Sequence, residues 1–178
     1  MKTLKHLLLL ALFCSFVAVP SHANDLTLFG GSQNPGSFTL RSASGAILST
    51  RPGTFGTFGL RFAHGRVVGS ETTLAYSPNF ISTQHSAIIF NSNFMVQAPL
   101  PVVRPYGTVG LGAVYVRGSG FQAAVTGAKF AVNYGGGLKI KLAGPLGIQL
   151  DARGYSLFGI DSQTLRILET SVGLVFSF

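Results

Sequence analysis

Val172, Leu174, Phe176 and Phe178 are apolar, while Ser171, Gly173 and Ser177 alternate with them and are small, Val175 being the one apolar residue on their face. The stretch SVGLVFSF carries no charge. A period of two belongs to a β-strand, whose successive side chains point to opposite faces of the sheet. A soluble domain lets its last residues fray in water; this stretch keeps its phase up to a final aromatic. One face is built for an apolar surrounding and the other for close quarters, which restricts the fold to sheets with an apolar exterior.

The opening of the chain places it outside the cytoplasm. Lys2, Lys5 and His6 precede an apolar run from Leu7 to Val19, and Ser21-His22-Ala23 follows as a small-x-small site. This is the layout of a secretory signal peptide, and the run is short of the ~20 residues a membrane-spanning helix needs. A cleavable helical signal peptide is expected over residues 1–23, with the cut after Ala23, and a single mature domain over residues 24–178. Cys14 follows Phe13 rather than a small residue, so lipidation is not expected and the only cysteine leaves with the peptide. Mature stability then comes from packing or from a membrane, not from a disulfide. Lys2 and Lys5 leave too, so eleven cations face five anions, a net charge of +6. Basic charge suits nucleic acid, but export makes an anionic membrane surface the better partner.

The chain is 47% hydrophobic and 10% charged, yet beyond Ala23 nothing approaches the apolar length of a spanning helix. All 23 glycines lie in the mature part, a density that disfavours helices. An exported, apolar, helix-poor chain satisfies its backbone in lipid only as a closed barrel. Transmembrane strands are about 9–11 residues long, with apolar residues facing lipid. Eight segments fit: DLTLFGGSQ, TFGTFGLRFAH, GSETTLAYS, SAIIFNSNFMVQA, PYGTVGLGAVYVR, KFAVNYGGGLKIKL, GIQLDARGYSLF and LRILETSVGLVFSF. The outward sets include Leu26 and Leu28; Phe58, Leu60 and Phe62; Thr72, Leu74 and Tyr76; and Ile88, Phe90, Phe94 and Val96. They continue with Val109, Leu111, Ala113 and Tyr115, then Phe130, Val132, Tyr134, Leu138 and Ile140, then Ile148 and Leu150, and end with Leu168, Val172, Leu174, Phe176 and Phe178. In the fifth segment this phase puts Tyr106 inside.

The connections alternate as well. Those around Gly65, at Ala98–Arg104 and at Ala143–Pro145 are short; those at Asn34–Gly53, Ser77–His85, Gly118–Ala128 and Gly159–Thr164 are longer. Short periplasmic turns and longer outer loops are the habit of outer-membrane barrels. The expected fold is all-β: an eight-stranded, antiparallel, up-and-down transmembrane β-barrel with both termini on the periplasmic side.

Glu71, Asp151 and Glu169 fall on the inward face with Arg61, Lys139 and Arg153. Arg61 and Glu71 lie on consecutive strands, as do Asp151/Arg153 and Glu169. Such a set suits either a carboxylate site or proton path, or a plug of ion pairs. Eight strands enclose little more than side chains, which favours the plug. Gly59, Gly110, Gly112, Gly135 and Gly137 let longer side chains cross the lumen and allow curvature. Lys129 and Lys141 are also assigned inward. His85 beside Ser86 suggests a hydrolase pair, but sequence adjacency is not the arrangement that chemistry requires, and a solvated loop is the expectation there. No metal-ligand spacing, phosphate loop or dinucleotide fingerprint is present, so no cofactor is expected. Arg41, Arg51, Arg117 and Arg166 stand in or beside the outer loops, placed for lipid phosphates or for solvent.

RPYGTVGLGA (Arg104–Ala113), VNYGGGLKIKL (Val132–Leu142), QLDARGY (Gln149–Tyr155) and the terminal SVGLVFSF together resemble the small eight-stranded outer-membrane β-barrel family. That family includes outer-membrane protein X, the membrane half of outer-membrane protein A and the opacity-type adhesins. The resemblance implies outer-membrane localisation in a Gram-negative envelope and contact with outer-membrane lipid and lipopolysaccharide. It also implies delivery by periplasmic chaperones to the barrel-assembly machinery, with Phe176 and Phe178 in the assembly signal. No peptidoglycan-binding domain follows the barrel, so wall tethering does not transfer, and the loops lack the length of opacity adhesins. The expected function is a monomeric, non-catalytic barrel with a structural, envelope-integrity or surface-interaction role. A narrow or gated pore for small solutes is the alternative, followed by a lipid-modifying barrel enzyme.

Overall fold

The computed structural model describes residues 24–36, 38–41, 47–50, 53–81, 83–118, 126–160 and 163–178. Ten strands are present among them: β1 (Asn24–Pro35), β2 (Phe38–Arg41), β3 (Ile47–Thr50), β4 (Phe55–His64), β5 (Val68–Ser77), β6 (His85–Gln97), β7 (Val103–Gly118), β8 (Gly127–Lys141), β9 (Leu146–Ile160) and β10 (Gln163–Ser177). Eight form a closed antiparallel barrel in the order β1-β10-β9-β8-β7-β6-β5-β4. The signal-peptide region, its cleavage residue Ala23, and Arg51 lie outside the described residues, as does the side chain of Arg41. The Asn34–Gly53 connection is more than a loop: β2 and β3 pair there as a separate antiparallel hairpin, Phe38 opposite Thr50 and Arg41 opposite Ile47.

The pairings fix the tilt. Starting at Asn34 and stepping across partners through Leu168, Gly154, Tyr134, Val109, Phe94, Ser70 and His64 returns to β1 at Asn24, displaced by ten residues. With ~3.3 Å per residue and ~4.8 Å between strands, that stagger tilts the strands by roughly 40°, within the usual barrel range. The seam closes in register from Asp25 opposite Ser177 to Pro35 opposite Ile167. Backbone bonds from Asn24 N to Phe178 O and from Phe178 N to Asn24 O seal the seam at the end bearing both residues, at 3.0 and 2.9 Å.

The alternation expected from the sequence is the alternation of exposure. Leu28, Phe58, Leu74, Phe94, Leu111, Tyr134, Val172 and Phe178 cover the outside, while Thr27, Arg61, Thr73, Asn93, Asn133, Arg153 and Glu169 are buried within. The outer wall carries aromatic pairs, Phe58 with Tyr76 and Phe130 with Phe158, near the strand ends where ring systems anchor at a bilayer interface.

Candidate functional site: the barrel lumen

The lumen has two layers of different chemistry. Towards the longer connections it is apolar, with Phe29, Phe55, Ile89, Val114, Val116, Leu157, Leu165 and Ile167 packed in one buried cluster. The inward face was expected to be small or polar along its whole length; in this half it is instead a hydrophobic core. The Ser77–His85 connection caps it. Phe80 is fully buried, its ring 5.3 Å from Phe55 in an edge-on contact, and Ile81 beside it is buried at a φ of 69°. A β-branched residue in the left-handed region is strained, so its conformation is held by the packing of this cap. His85 is not a solvated loop residue: it is buried, opens β6, and its carbonyl accepts from the Phe80 amide at 2.8 Å. Phe80→Ala is expected to lower stability by about 3 kcal/mol, the lower end for deleting a buried Phe side chain; urea unfolding in lipid vesicles measures it.

Below this layer lies an ionic network. Arg153 on β9 reaches across the whole lumen, its Nη1 standing 2.6 Å from Glu71 Oε1 on β5, four strands away. Its Nε and Nη2 donate to the two carboxylate oxygens of Asp151 at 2.6 and 3.0 Å. Arg61 on β4 donates to Glu169 Oε1 at 2.9 Å and to Ser171 Oγ at 3.0 Å, lies 3.4 Å from Asp151 Oδ1, and covers the Phe29 ring at 3.8 Å. Glu169 also accepts from Gln33 Nε2 at 2.6 Å. Consecutive strands are therefore not the rule of pairing. Arg61 and Glu71 do not pair with each other: Arg61 pairs with Glu169, two strands away beyond β1, and Glu71 with Arg153 across the barrel. Gly135 makes room for this crossing, because a Cβ there would stand 2.8 Å from Arg153 Cγ.

A third cluster closes the end of the barrel near Asn24 and Phe178. Lys139 Nζ donates to Asp25 Oδ2 at 2.8 Å, Arg104 lies 3.4 Å from the same oxygen, and Ser177 Oγ donates to Asp25 Oδ1 at 2.6 Å. A hydrogen-bonded chain leads from here into the ionic network: Thr27 Oγ1 donates to Gln149 Oε1, Gln149 Nε2 to the Tyr106 hydroxyl, and that hydroxyl to Asp151, while the Lys139 ammonium lies 5.4 Å from the Tyr106 ring. Arg61, Glu71, Lys139, Asp151, Arg153 and Glu169 are thus all inside the barrel and all paired. Asp25, Tyr106, Gln33 and Gln149 complete the network and were missing from the sequence-based set. The phase that sends Leu26 and Leu28 outward is the signal that would have found Asp25. Lys141 is exposed at the rim of the barrel rather than inward, and Lys129, only partly covered, donates to the Gly159 carbonyl at 2.8 Å.

The inward charges fill the lumen as ion pairs. No group of three or more His, Cys, Asp or Glu placed to hold a metal exists among the described residues. Among the described residues, each inward carboxylate is tied to a cation.

The sequence matches the family described as the outer membrane protein beta-barrel domain over residues 8–178. The chain belongs to this family. It is a bacterial outer-membrane β-barrel. Among solved structures, Neisserial surface protein A is similar with a TM-score of 0.65 and 10% identity, over 89% of this chain and 98% of that one. Ail, the attachment invasion locus protein of Yersinia pestis, gives a TM-score of 0.57 and 13% identity, over 89% of this chain and 99% of that one. The outer membrane enzyme PagL gives a TM-score of 0.50 and 15% identity, over 85% of this chain and 98% of that one. At these identities the likeness is one of fold. No curated protein matches the sequence. For an outer-membrane barrel, the apolar outside and the longer loops acquire an orientation: the capped apolar layer faces the cell exterior and the Asp25 cluster the periplasm.

Proposed function

We propose that this outer-membrane barrel is a non-catalytic component of the envelope, acting in its integrity or in surface interaction, and that its lumen does not conduct. The observation that carries this reading is the doubly closed interior: Arg153 paired across the barrel with Glu71, beneath an apolar layer capped by Phe80 and Ile81. An ion entering would have to break buried pairs whose remaining partners would then be uncompensated, at several kcal/mol each. Planar-bilayer recording of the purified protein is expected to show no steady conductance; reproducible ohmic steps would overturn the closed-lumen reading. A gated pore draws on one specific feature, the strained Ile81 backbone in the cap, and would appear as voltage- or ligand-dependent steps. Lipid modification is tested by the mass of lipid A from cells with and without the protein, expected to be identical. A knockout assayed for envelope permeability then separates an integrity role from a surface one.

The surrounding biology in this proposal follows the family. The signal peptide is removed after Ala23, chaperones carry the chain through the periplasm, and the assembly machinery reads Phe176 and Phe178. The inserted barrel stands as a monomer among phospholipid and lipopolysaccharide. Exposed Arg117 and Arg166 near the outer strand ends support contact with lipid phosphates.

A further inference from the structure

The mouth of the barrel beside Asp25 holds a recess of about 490 Å³, whose lining includes Asp25, Arg104, Lys141, Gly144, Pro145 and Ser177. Arg104 stands opposite Lys139 in the β7–β8 register, and Lys141 follows two residues on, where β8 ends. Three cations therefore gather near one carboxylate. Asp25 does not need all of them. Lys139 Nζ at 2.8 Å and Ser177 Oγ at 2.6 Å already serve its two oxygens. Arg104 approaches those oxygens only to 3.4 Å, and Ser177 Oγ only to 3.5 Å, too far for a strong charge-assisted bond. Its side chain keeps 23% of its surface exposed, and Lys141 is exposed.

Little at this mouth cancels the charge. Among the described residues every acidic side chain, Asp25, Glu71, Asp151 and Glu169, is buried inside the barrel. Arg104, Lys139 and Lys141 outnumber Asp25 even when a carboxylate at the end of the Phe178 main chain is counted with it. The walls of the recess are set in advance. The Lys141 amide donates to the Val102 carbonyl and the Ser177 amide to the Pro145 carbonyl, both at 2.8 Å, and the rings of Pro101 and Pro145 fix φ in the two turns. A site already in shape loses less on binding than one that must be ordered.

The surroundings choose among anions. Leu142 and Leu146 flank the Gly144–Pro145 turn, Leu100 and Val102 flank Pro101, and all four are exposed, as is Phe178. Cations beside exposed apolar side chains suit a ligand with an anionic head and an apolar body. We infer that Arg104 and Lys141 form a binding site for the phosphate of an anionic phospholipid, whose acyl chains lie over Leu142, Leu146 and Phe178. Arg104 supplies the planar fork that matches phosphate oxygens, and Lys141 a point charge beside it. The site requires the barrel to lie in a bilayer, but it is independent of the choice between integrity and surface roles, and conductance and permeability do not bear on it.

The test uses the purified barrel in micelles of an uncharged maltoside, titrated separately with short-chain phosphatidylglycerol, short-chain phosphatidylcholine and inorganic phosphate, while NMR follows the Gly144 and Ser177 amides. Saturable shifts at both amides are expected with phosphatidylglycerol. Arg104→Gln and Lys141→Gln are each expected to weaken that binding about tenfold, the scale of one charge-assisted contact. Lys141 is exposed, so its variant leaves the buried network intact. Arg66→Gln, which removes an exposed cation outside the recess, is expected to leave binding unchanged. Absence of saturable shifts would overturn the site. An equal loss with Arg66→Gln would also overturn it, by showing diffuse attraction to a basic rim. Phosphatidylcholine binding as tightly as phosphatidylglycerol would overturn the anionic head, and inorganic phosphate binding as tightly would overturn the lipid.

Discussion

Arg153→Ala is expected to destabilise the barrel by about 3–5 kcal/mol, the scale for removing one partner of a buried ion pair. The side chain is fully buried and is the only ion-pair partner recorded for Glu71 among the described residues. Without it Glu71 keeps only the Asn93 amide at 3.1 Å and a long contact from Thr73 at 3.5 Å. Asp151 fares better, because Arg61 and Tyr106 remain beside it. The damage should therefore concentrate on Glu71, and neutralising that residue should undo part of it. The double variant Arg153→Ala/Glu71→Gln is expected to cost less than the two single changes together, by on the order of 0.5–3 kcal/mol. Urea unfolding of all four proteins in lipid vesicles gives the cycle. Additivity within about 0.5 kcal/mol would show that the crossing contact does not couple the two residues.

That pair also marks how far the sequence could be read. Its two members were legible as inward residues because a strand with lipid on one side and lumen on the other imposes a strict period of two. Their partnership was not. It joins β5 to β9, opposite walls of the barrel, and which side chains meet there depends on closure, stagger and the bare backbone at Gly135. Neighbouring strands are adjacent in sequence, so the linear reading favoured local pairs such as Arg61 with Glu71. The apolar half of the lumen was missed for a different reason. In segments such as AIIF and AVYV both faces are apolar, so Ile89, Val114 and Val116 did not disturb the lipid-facing phase that identified the strands. The break in polarity of the inward face was itself the available signal. Asp25 escaped because it stands at the edge of its strand, where phase is easily set aside, although Leu26 and Leu28 fix it.

Replacing Phe178 by alanine is expected to cut the amount of barrel reaching the outer membrane sharply while leaving the refolded protein nearly as stable as before. The substitution spares the backbone: the pair of bonds between Phe178 and Asn24 that seals the seam involves main-chain atoms only. Phe178 is 68% exposed on the outer face, so its side chain contributes to the folded barrel chiefly through contact with lipid. Full burial of a phenylalanine side chain is worth about 1.5–3 kcal/mol, and a side chain touching the barrel on one side only falls at or below the lower end. A loss of that size leaves a closed barrel folded. A much larger deficit in the cell must then arise before folding is complete, when the SVGLVFSF strand is recognised and laid against β1. Outer-membrane yield and vesicle unfolding, measured together on the native protein and on Phe178→Ala, separate the two roles. Low yield with intact stability supports recognition; parallel losses in both would make Phe178 an ordinary packing residue at the membrane interface. Native yield and native stability together would remove Phe178 from the assembly signal and leave Phe176, the next aromatic in phase, to be tested by the same pair of measurements.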